Sequence, residues 1–548
     1  MTRKTPNLDA RWHAALGQIT GGLSPAALAT AYLDWSLHLI ASPDKQAELM
    51  RRVLEPSAAS ETEPEDSRFA DPAWSTFPYN LFVQNFLATQ AWWNAATTGL
   101  PGVDPKHENI VSFATRQWID VFSPANYALT NPQVWDRTRQ EMGQNLVRGM
   151  RYWLEDFNRL MSRLPRQSHG FSVGENLATT PGQVVLQNDL IELIRYHPTT
   201  KKVRAEPILI VPAWIMKYYI LDLTDQRSLV AYLRDQGFEV YIISWKNPTE
   251  EDADKGLQDY IDLGIRASID LIKTTGATRL HAVGYCLGGT LLSIAAAAMG
   301  RDGDNAFSTI SLLASQVDFS EPGELGLFIN ESQVAFLEDM MATRGYLKAD
   351  QMAGAFRMLR SNDLIWSRVV RHYLLGERTQ ENALLAWNAD ATRMPAAMHS
   401  EYLRHLFLKN DLAKGRFAVD GKSVALTDIR CPIYCVATET DHVSPWKSVY
   451  RLLLLTDTDV TFVLTNGGHN GGILSEPGHA GRHFRADHKS EGDRHRTAAD
   501  WLEATATQDG SWWVHWAGWL REKSGDRRAP RPVLVKIKTP APGTYVFG

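Results

Sequence analysis

The sequence predicts an α/β chain: a mostly parallel sheet covered by helices on both faces, with a helical segment in front of it and a helical insertion inside it. Three observations lead there. From about Phe171 onward, short β-branched apolar runs alternate with helical patterns, the order that buries a parallel sheet on both faces. One of those runs leads through a glycine-flanked turn straight into a helix. The chain has 548 residues, too many for one ordinary core, so a second domain or large insertions are required.

The first part reads as helical. Ser24-Pro25 and Ser42-Pro43 each set a capping residue before a proline suited to the first helical position, and Asn131-Pro132 repeats the signal. Behind it Leu146, Met150, Trp153, Leu154, Phe157, Leu160, Met161 and Leu164 recur at helical spacing. The acidic stretch from Ala58 to Asp66 lacks large apolar residues and reads as a flexible connection. Leu164-Pro165 closes this unit, which places a helical domain at residues 1–170 and an α/β domain at residues 171–548. In the latter, Pro207 to Val211, Phe238 to Ser244, Leu280 to Val283, Thr309 to Leu313, Pro432 to Ala437 and Val460 to Leu464 read as buried strands. Between the fourth and the fifth lies a mainly helical insertion, roughly Asp318 to Asp428, where a lid over a site is expected. The tail from Lys523 is basic and proline-rich, then briefly strand-like at Val533 to Ile537.

Composition narrows the function. A net charge of −5 gives no basic footprint for a nucleic-acid partner. No apolar run reaches the length of a membrane span. Arg3 and Lys4 are followed by Pro6 and Asp9, not by the apolar centre of a leader, so a cytoplasmic location is the default expectation. Three cysteines, Cys286, Cys431 and Cys435, do not make a disulfide framework. Eighteen tryptophans point either to core packing or to a protein that handles apolar, water-insoluble material. There is no Walker-type loop and no dinucleotide fingerprint.

The chemistry centres on Leu280-His281-Ala282-Val283-Gly284-Tyr285-Cys286-Leu287-Gly288-Gly289-Thr290. A strand, a tight turn and a helix make the nucleophile elbow of an α/β-hydrolase fold, with cysteine where hydrolases carry serine. The nucleophile sits in a strained conformation, and side chains two residues to either side would collide, which explains the glycines. The helix N-terminus favours a thiolate and an adjacent oxyanion. The backbone N–H of Leu287 is one expected oxyanion donor; Ala213 or Trp214, after the first main strand, supplies the second. The fold then requires an acid and a histidine, in that order, after later strands. Asp441 follows the fifth strand and His469 the sixth, with Glu439 and His442 as local rivals. Cys431 and Cys435 read as core packing, since no second cysteine pair supports a zinc site. His479, His483, His488 and His495 are irregularly spaced in a polar, loop-like stretch and read as solvated surface.

Further stretches accompany the elbow: Val211 to Leu223 (VPAWIMKYYILDL), Ser244 to Pro248 (SWKNP), Ser361 to Trp366 (SNDLIW), Trp387 to Arg393 (WNADATR), Phe122 to Pro132 and Asn176 to Gly182. With them, the chain from about Asp71 to Leu520 resembles the polyhydroxyalkanoate synthases, close to the single-subunit long-chain type. The resemblance implies that Cys286 carries the acyl chain, that His469 takes its proton, and that Asp441 activates the hydroxyl of the incoming hydroxyacyl group. It implies a 3-hydroxyacyl-CoA substrate, (R)-configured, and a polyester product. It also implies a homodimer contacting through the lid region, residence on polyester granules, and catalysis without a metal or redox cofactor. Three departures lie beside the expected site: Ala213 where the family usually has a second proline, Met216 where asparagine precedes the lysine, and the segment beginning at Asn470. Two other readings fit the same residues: a thioesterase or polyester depolymerase of the same fold, and a weakly active granule-associated structural protein.

Overall fold

The computed structural model describes residues 7–54, 66–162, 170–349, 351, 365–378, 380–532, 537 and 539–548. The expectations for 58–65, for Leu164-Pro165, for 361–364 and for 533–536 lie outside the described residues. The chain divides into two compact units, one of Gly17–Gln167 with Ala353–Glu381, the other of Met1–Leu16, Ser168–Met352 and Asn382–Gly548.

The chain begins with α1 (Leu8–Ile19), whose His13 Nδ1 sits 2.8 Å from Asp339 Oδ2 within the second unit. The helical unit contains α2 (Pro25–Ile40), α3 (Pro43–Leu54), α4 (Tyr79–Thr97), α5 (Pro105–Val121), α6 (Pro132–Gln140) and α7 (Gln144–Met161). Ser24 and Asn131 cap α2 and α6 through their side chains. Ser42 does not cap α3; its hydroxyl donates to the His38 carbonyl at 2.7 Å, because the preceding helix offers a nearer acceptor. Leu49, Ala95 and Ala96 form a small core roofed by Trp92 and Trp93, and the indoles of Trp35 and Trp92 donate to the carbonyls of Ala96 and Leu49. Residues 365–378 of the insertion pack on α7. Asn145 donates to the Leu374 carbonyl at 2.8 Å, and Asp156 accepts from Tyr373 and Arg368. Gly149 permits this approach, since a Cβ there would lie 2.0 Å from the Tyr373 carbonyl oxygen.

The main sheet of the α/β unit has ten strands among the described residues: β1 (Gly182–Gln187), β2 (Ile191–Tyr196), β3 (Ile208–Val211), β4 (Val240–Trp245), β5 (Leu280–Tyr285), β6 (Phe307–Leu313), β7 (Ile433–Thr438), β8 (Val460–Thr465), β9 (His483–Lys489) and β10 (Thr507–Asp509). Their spatial order is β1-β2-β4-β3-β5-β6-β7-β8-β9-β10. The six strands expected from the sequence, β3 to β8, are the contiguous parallel centre. Antiparallel pairs flank it, β1 and β2 on one side, β9 and β10 on the other. β5, β7 and β8 are buried along their whole length, which is why they read as continuous apolar runs. β2 and β9 carry charges and did not. His483 and His488, expected in solvated loop, lie on β9, paired with β8 across the register Thr461↔His488.

α8 (Leu229–Asp235), α9 (Ala267–Thr274) and α10 (Leu287–Arg301) follow β3, β4 and β5 in the chain. Between β6 and β7 comes the insertion, with α11 (Glu331–Ala342), α12 (Ala383–Ala389), α13 (Ala396–Glu401) and a π-helical turn, Tyr402–Leu408. Near the C-terminus α14 (Ala498–Ala504) and α15 (Trp512–Glu522) complete the unit. On α15, Trp512, Trp513 and Trp516 are at most 1% exposed. Buried tryptophan of this kind removes up to about 250 Å² each, worth at most about 6 kcal/mol per side chain. Among the described residues, no helix is long and apolar enough to cross a membrane.

Candidate active site

The site forms where β5, β7 and β8 end. Cys286 follows β5 and has φ +52° and ψ −125°, the left-handed side of backbone space that a non-glycine residue occupies at a cost. Its neighbours hold it there. The Cys286 N–H donates to the Leu313 carbonyl at 2.9 Å, and the Ser315 hydroxyl donates to the Cys286 carbonyl at 2.7 Å. A Cβ at Gly284 would lie 2.3 Å from the Gly289 Cα; one at Gly289 would lie 1.9 Å from Ser315 Oγ. The chain can therefore make this turn only with glycine at both places. Cys286 is 8% exposed.

α10 begins at Leu287, so its first N–H groups have no intrahelical acceptor and point their positive end at the turn. Gly288 brings that helix end against the segment after β3: a Cβ there would meet the Val211 carbonyl at 2.1 Å and the Pro212 carbonyl at 2.6 Å. The helix end that begins at Leu287 therefore lies against the chain that leads into Ala213 and Trp214. The lid insertion ties down the same loop. Thr392 donates to the Trp214 carbonyl at 2.5 Å, and Trp387 to that of Lys217 at 2.8 Å. Met216, singled out as a departure, pairs with Ala391 through a backbone bridge.

Asp441 follows β7 and His469 follows β8. His469 Nδ1 donates to Asp441 Oδ2 at 2.7 Å. The Cys286 charge acts on the same ring, and with Nδ1 taken by Asp441 it is Nε2 that remains for the cysteine. Asp441 Oδ1 accepts the N–H groups of Val443 and Ser444, both at 2.9 Å, and Thr438 donates to Oδ2 at 3.2 Å. The carboxylate is wholly shielded from solvent. Glu439 takes no such position; it lies 3.7 Å from His483.

Electrostatics follow from this packing. Burial disfavours the Asp441 charge, but the His469 charge and hydrogen bond, with the two backbone donors, bring its pKa below the usual carboxylate value. Burial likewise disfavours the imidazolium. The Cys286 and Asp441 charges, and the hydrogen bond to Asp441, overcome it and hold His469 well above the usual histidine range. Such a pair can move a proton between sulfur and imidazole and stabilise the charge on either side. Cys431 and Cys435 are buried away from any such partner, and burial pushes the Cys431 thiol up to about 12.

Several residues that hold the site carried no signal alone. After His469 the chain is fastened by Trp512 and Trp513, which donate to the carbonyls of Gly472 and Ile473 at 3.0 and 2.9 Å. Arg482 donates to the carbonyls of Asn466, Gly471 and Leu474. The tryptophans were visible only as a count over the whole chain; neither the Trp512-Trp513 pair nor its target was.

Residues 65–233 match the family described as Poly-beta-hydroxybutyrate polymerase (PhaC) N-terminus, residues 3–45 that described as Poly-beta-hydroxybutyrate polymerase N terminal, and residues 206–474 that described as alpha/beta hydrolase fold. The Poly(3-hydroxyalkanoate) polymerase of Methylorubrum extorquens is 40% identical over 492 residues, covering 88% of this chain and 81% of the relative. The Poly(3-hydroxyalkanoate) polymerase subunit PhaC of Rhizobium meliloti is 38% identical over 490 residues, with 88% and 79% covered. That of Cupriavidus necator is 35% identical over 494 residues, with 88% and 83% covered. On this similarity across nearly the whole chain, and on an α/β-hydrolase fold with a helical insertion, the chain belongs to the polyhydroxyalkanoate synthase family of transferases.

Proposed function

We propose that the chain polymerises (R)-3-hydroxyacyl-CoA into polyester, releasing CoA, through an acyl group carried on Cys286. The observation that carries this reading is the strained, glycine-flanked elbow that presents Cys286, with His469 held by Asp441 at 2.7 Å and coupled electrostatically to the cysteine. In the first half-reaction the Cys286 thiolate attacks the thioester carbonyl. The oxyanion is met by the N–H of Leu287 and by that of Ala213 or Trp214. The carbonyl re-forms, the CoA sulfur leaves, and the proton held by His469 goes to it. In the second half-reaction the 3-hydroxyl of an incoming hydroxyacyl group attacks the acyl-cysteine. His469 takes the hydroxyl proton, an ester forms, and the Cys286 thiolate is the leaving group.

Asp441 acts through His469 in this scheme. With both its oxygens engaged and its side chain out of solvent, it keeps the imidazole in the tautomer that presents Nε2 and stabilises the imidazolium. The burial of Cys286 favours an alcohol over water as acceptor. Action at a polyester granule surface and a homodimer contacting through the lid region belong to the same proposal.

Purified protein given 3-hydroxybutyryl-CoA should release CoA while an insoluble, chloroform-extractable polymer accumulates and free acid stays near background. Cys286→Ala should abolish acyl labelling and CoA release, whereas Cys431→Ala and Cys435→Ala keep most activity. Free acid matching the released CoA would make the chain a thioesterase, and acyl labelling of Cys286→Ala would overturn the nucleophile assignment.

A further inference from the structure

The residue before the cysteine and the residue after the histidine are bonded to each other. Tyr285 is 2% exposed, and its phenol donates to Asn470 Oδ1 at 2.6 Å. The Tyr285 ring also lies against the imidazole of His469, centroids 5.9 Å apart and tilted by 34°. Burial, with the Cys286 and Asp441 charges nearby, drives the phenol well above its ordinary pKa, so it remains a donor and the amide oxygen is its natural partner. The loop carrying His469 is otherwise fastened at Asn466 and Gly467 before the imidazole and at Gly471, Gly472, Ile473 and Leu474 after it. Tyr285–Asn470 is the tie next to the imidazole itself, and it joins that loop directly to the elbow.

We propose that Tyr285 is a positioning residue: by tying Asn470 to the nucleophile elbow it holds the His469 imidazole against the Cys286 thiol. The inference rests on the acyl-cysteine reading above. The phenol touches no reacting atom. Its hydroxyl fixes the loop, and its ring limits how far the imidazole can turn. Removing the hydroxyl alone leaves the ring in place and the Asn470 amide without its partner, so the loss is one of geometry. Removing both partners for apolar groups relieves the unpaired amide.

The test uses four variants of the full chain: Tyr285→Phe, Asn470→Ala, the double variant Tyr285→Phe/Asn470→Ala, and Tyr285→Phe/Asn470→Leu. Tyr285→Phe should lower kcat for CoA release by about 10-fold with KM changed by less than about twofold, the signature of a misplaced reacting group. Alkylation of Cys286 by iodoacetamide, followed against pH, should shift its midpoint upward, because a displaced imidazolium stabilises the thiolate less. The double alanine variant should lose no more than the worse single variant, and Asn470→Leu should restore part of the loss in Tyr285→Phe. Asn470→Ala approaches the same bond from the loop, so a folding failure at Tyr285 leaves it to decide. Unchanged kcat and an unchanged alkylation profile in the single variants, or losses that multiply in the double one, would overturn the proposal. Cys286→Ala separates the two levels. If it is still acylated, the acyl-cysteine reading fails; if it is inert while Tyr285→Phe behaves as the unaltered chain, only the role of Tyr285 fails.

Discussion

Replacing Asp441 with asparagine should separate the two half-reactions. The variant keeps the size of the side chain and can still present an oxygen to Val443 and Ser444. What it loses is the charge at the 2.7 Å contact with His469 Nδ1. Breaking one partner of a buried charged pair costs about 3–5 kcal/mol, a factor of roughly 10²–10⁴ in rate if the full amount is felt in the transition state. It is not felt equally. Acylation begins from a thiol, a much stronger acid than an alcohol, whose proton His469 takes readily. Elongation requires His469 to take a proton from an alcohol, a far weaker acid, and there the carboxylate behind the imidazole is needed in full. Quenched-flow measurement of CoA release should therefore show a burst of up to about one equivalent per site, then turnover slowed by about 10²- to 10⁴-fold. A burst and a steady state reduced by the same factor would refute the reasoning, since Asp441 would then be required simply to form the cysteine–histidine pair. The resemblance to the synthases implies direct activation of the hydroxyl by Asp441. The shielded, fully bonded carboxylate favours the indirect route.

Gly288→Ala should lower kcat by about 100-fold or more, comparable to losing an oxyanion donor, because its Cβ would strike the backbone carbonyls of Val211 and Pro212. Gly471→Ala, with nothing within 4 Å of the added carbon, should keep near-normal activity; equal rates in both variants would remove the steric argument. Acid stability should fall through His281, which is fully buried between the Thr309 and Ser524 hydroxyls and held at about 3 by burial, then by Arg279. The unfolded chain takes up that proton below about pH 6.5 and the native state does not, so the contribution is complete above about 6.5 and declines as pH falls toward 3, by about 2 kcal/mol at pH 5. His281→Gln should show a smaller difference between urea midpoints at about pH 8 and pH 5 than the unaltered chain; the same difference would exclude His281 as the source.

How much was legible in the sequence depended on how local the cause was. The parallel strands β3 to β8 stood out because full burial demands uninterrupted apolar runs. Cys286, Asp441 and His469 stood out because each lies in a loop directly after such a strand, and because Gly284 answers a clash five residues away at Gly289, although Gly288 and Gly289 also make room for the remote Val211, Pro212 and Ser315. Other features depended on partners remote in the chain. Glu192 is buried in β2 with most of its donors supplied from far along the chain by Thr544 and Tyr545. Arg195 is held by Glu239, which also binds Arg531. These charges made flanking strands look like surface. Residues 365–378 pack on α7 through Asp156 and Asn145, although in the chain they fall within the lid insertion. The Tyr285–Asn470 bond spans 185 positions, and the tryptophans of α15 reach the His469 loop across 40. The sequence by itself determined the local stereochemistry: which residues could turn sharply after a buried strand, and which bore a nucleophile, an acid or a base. Tertiary structure alone decided which buried polar group met which partner, because burial leaves a hydrogen-bonding group unsatisfied until the fold brings one to it.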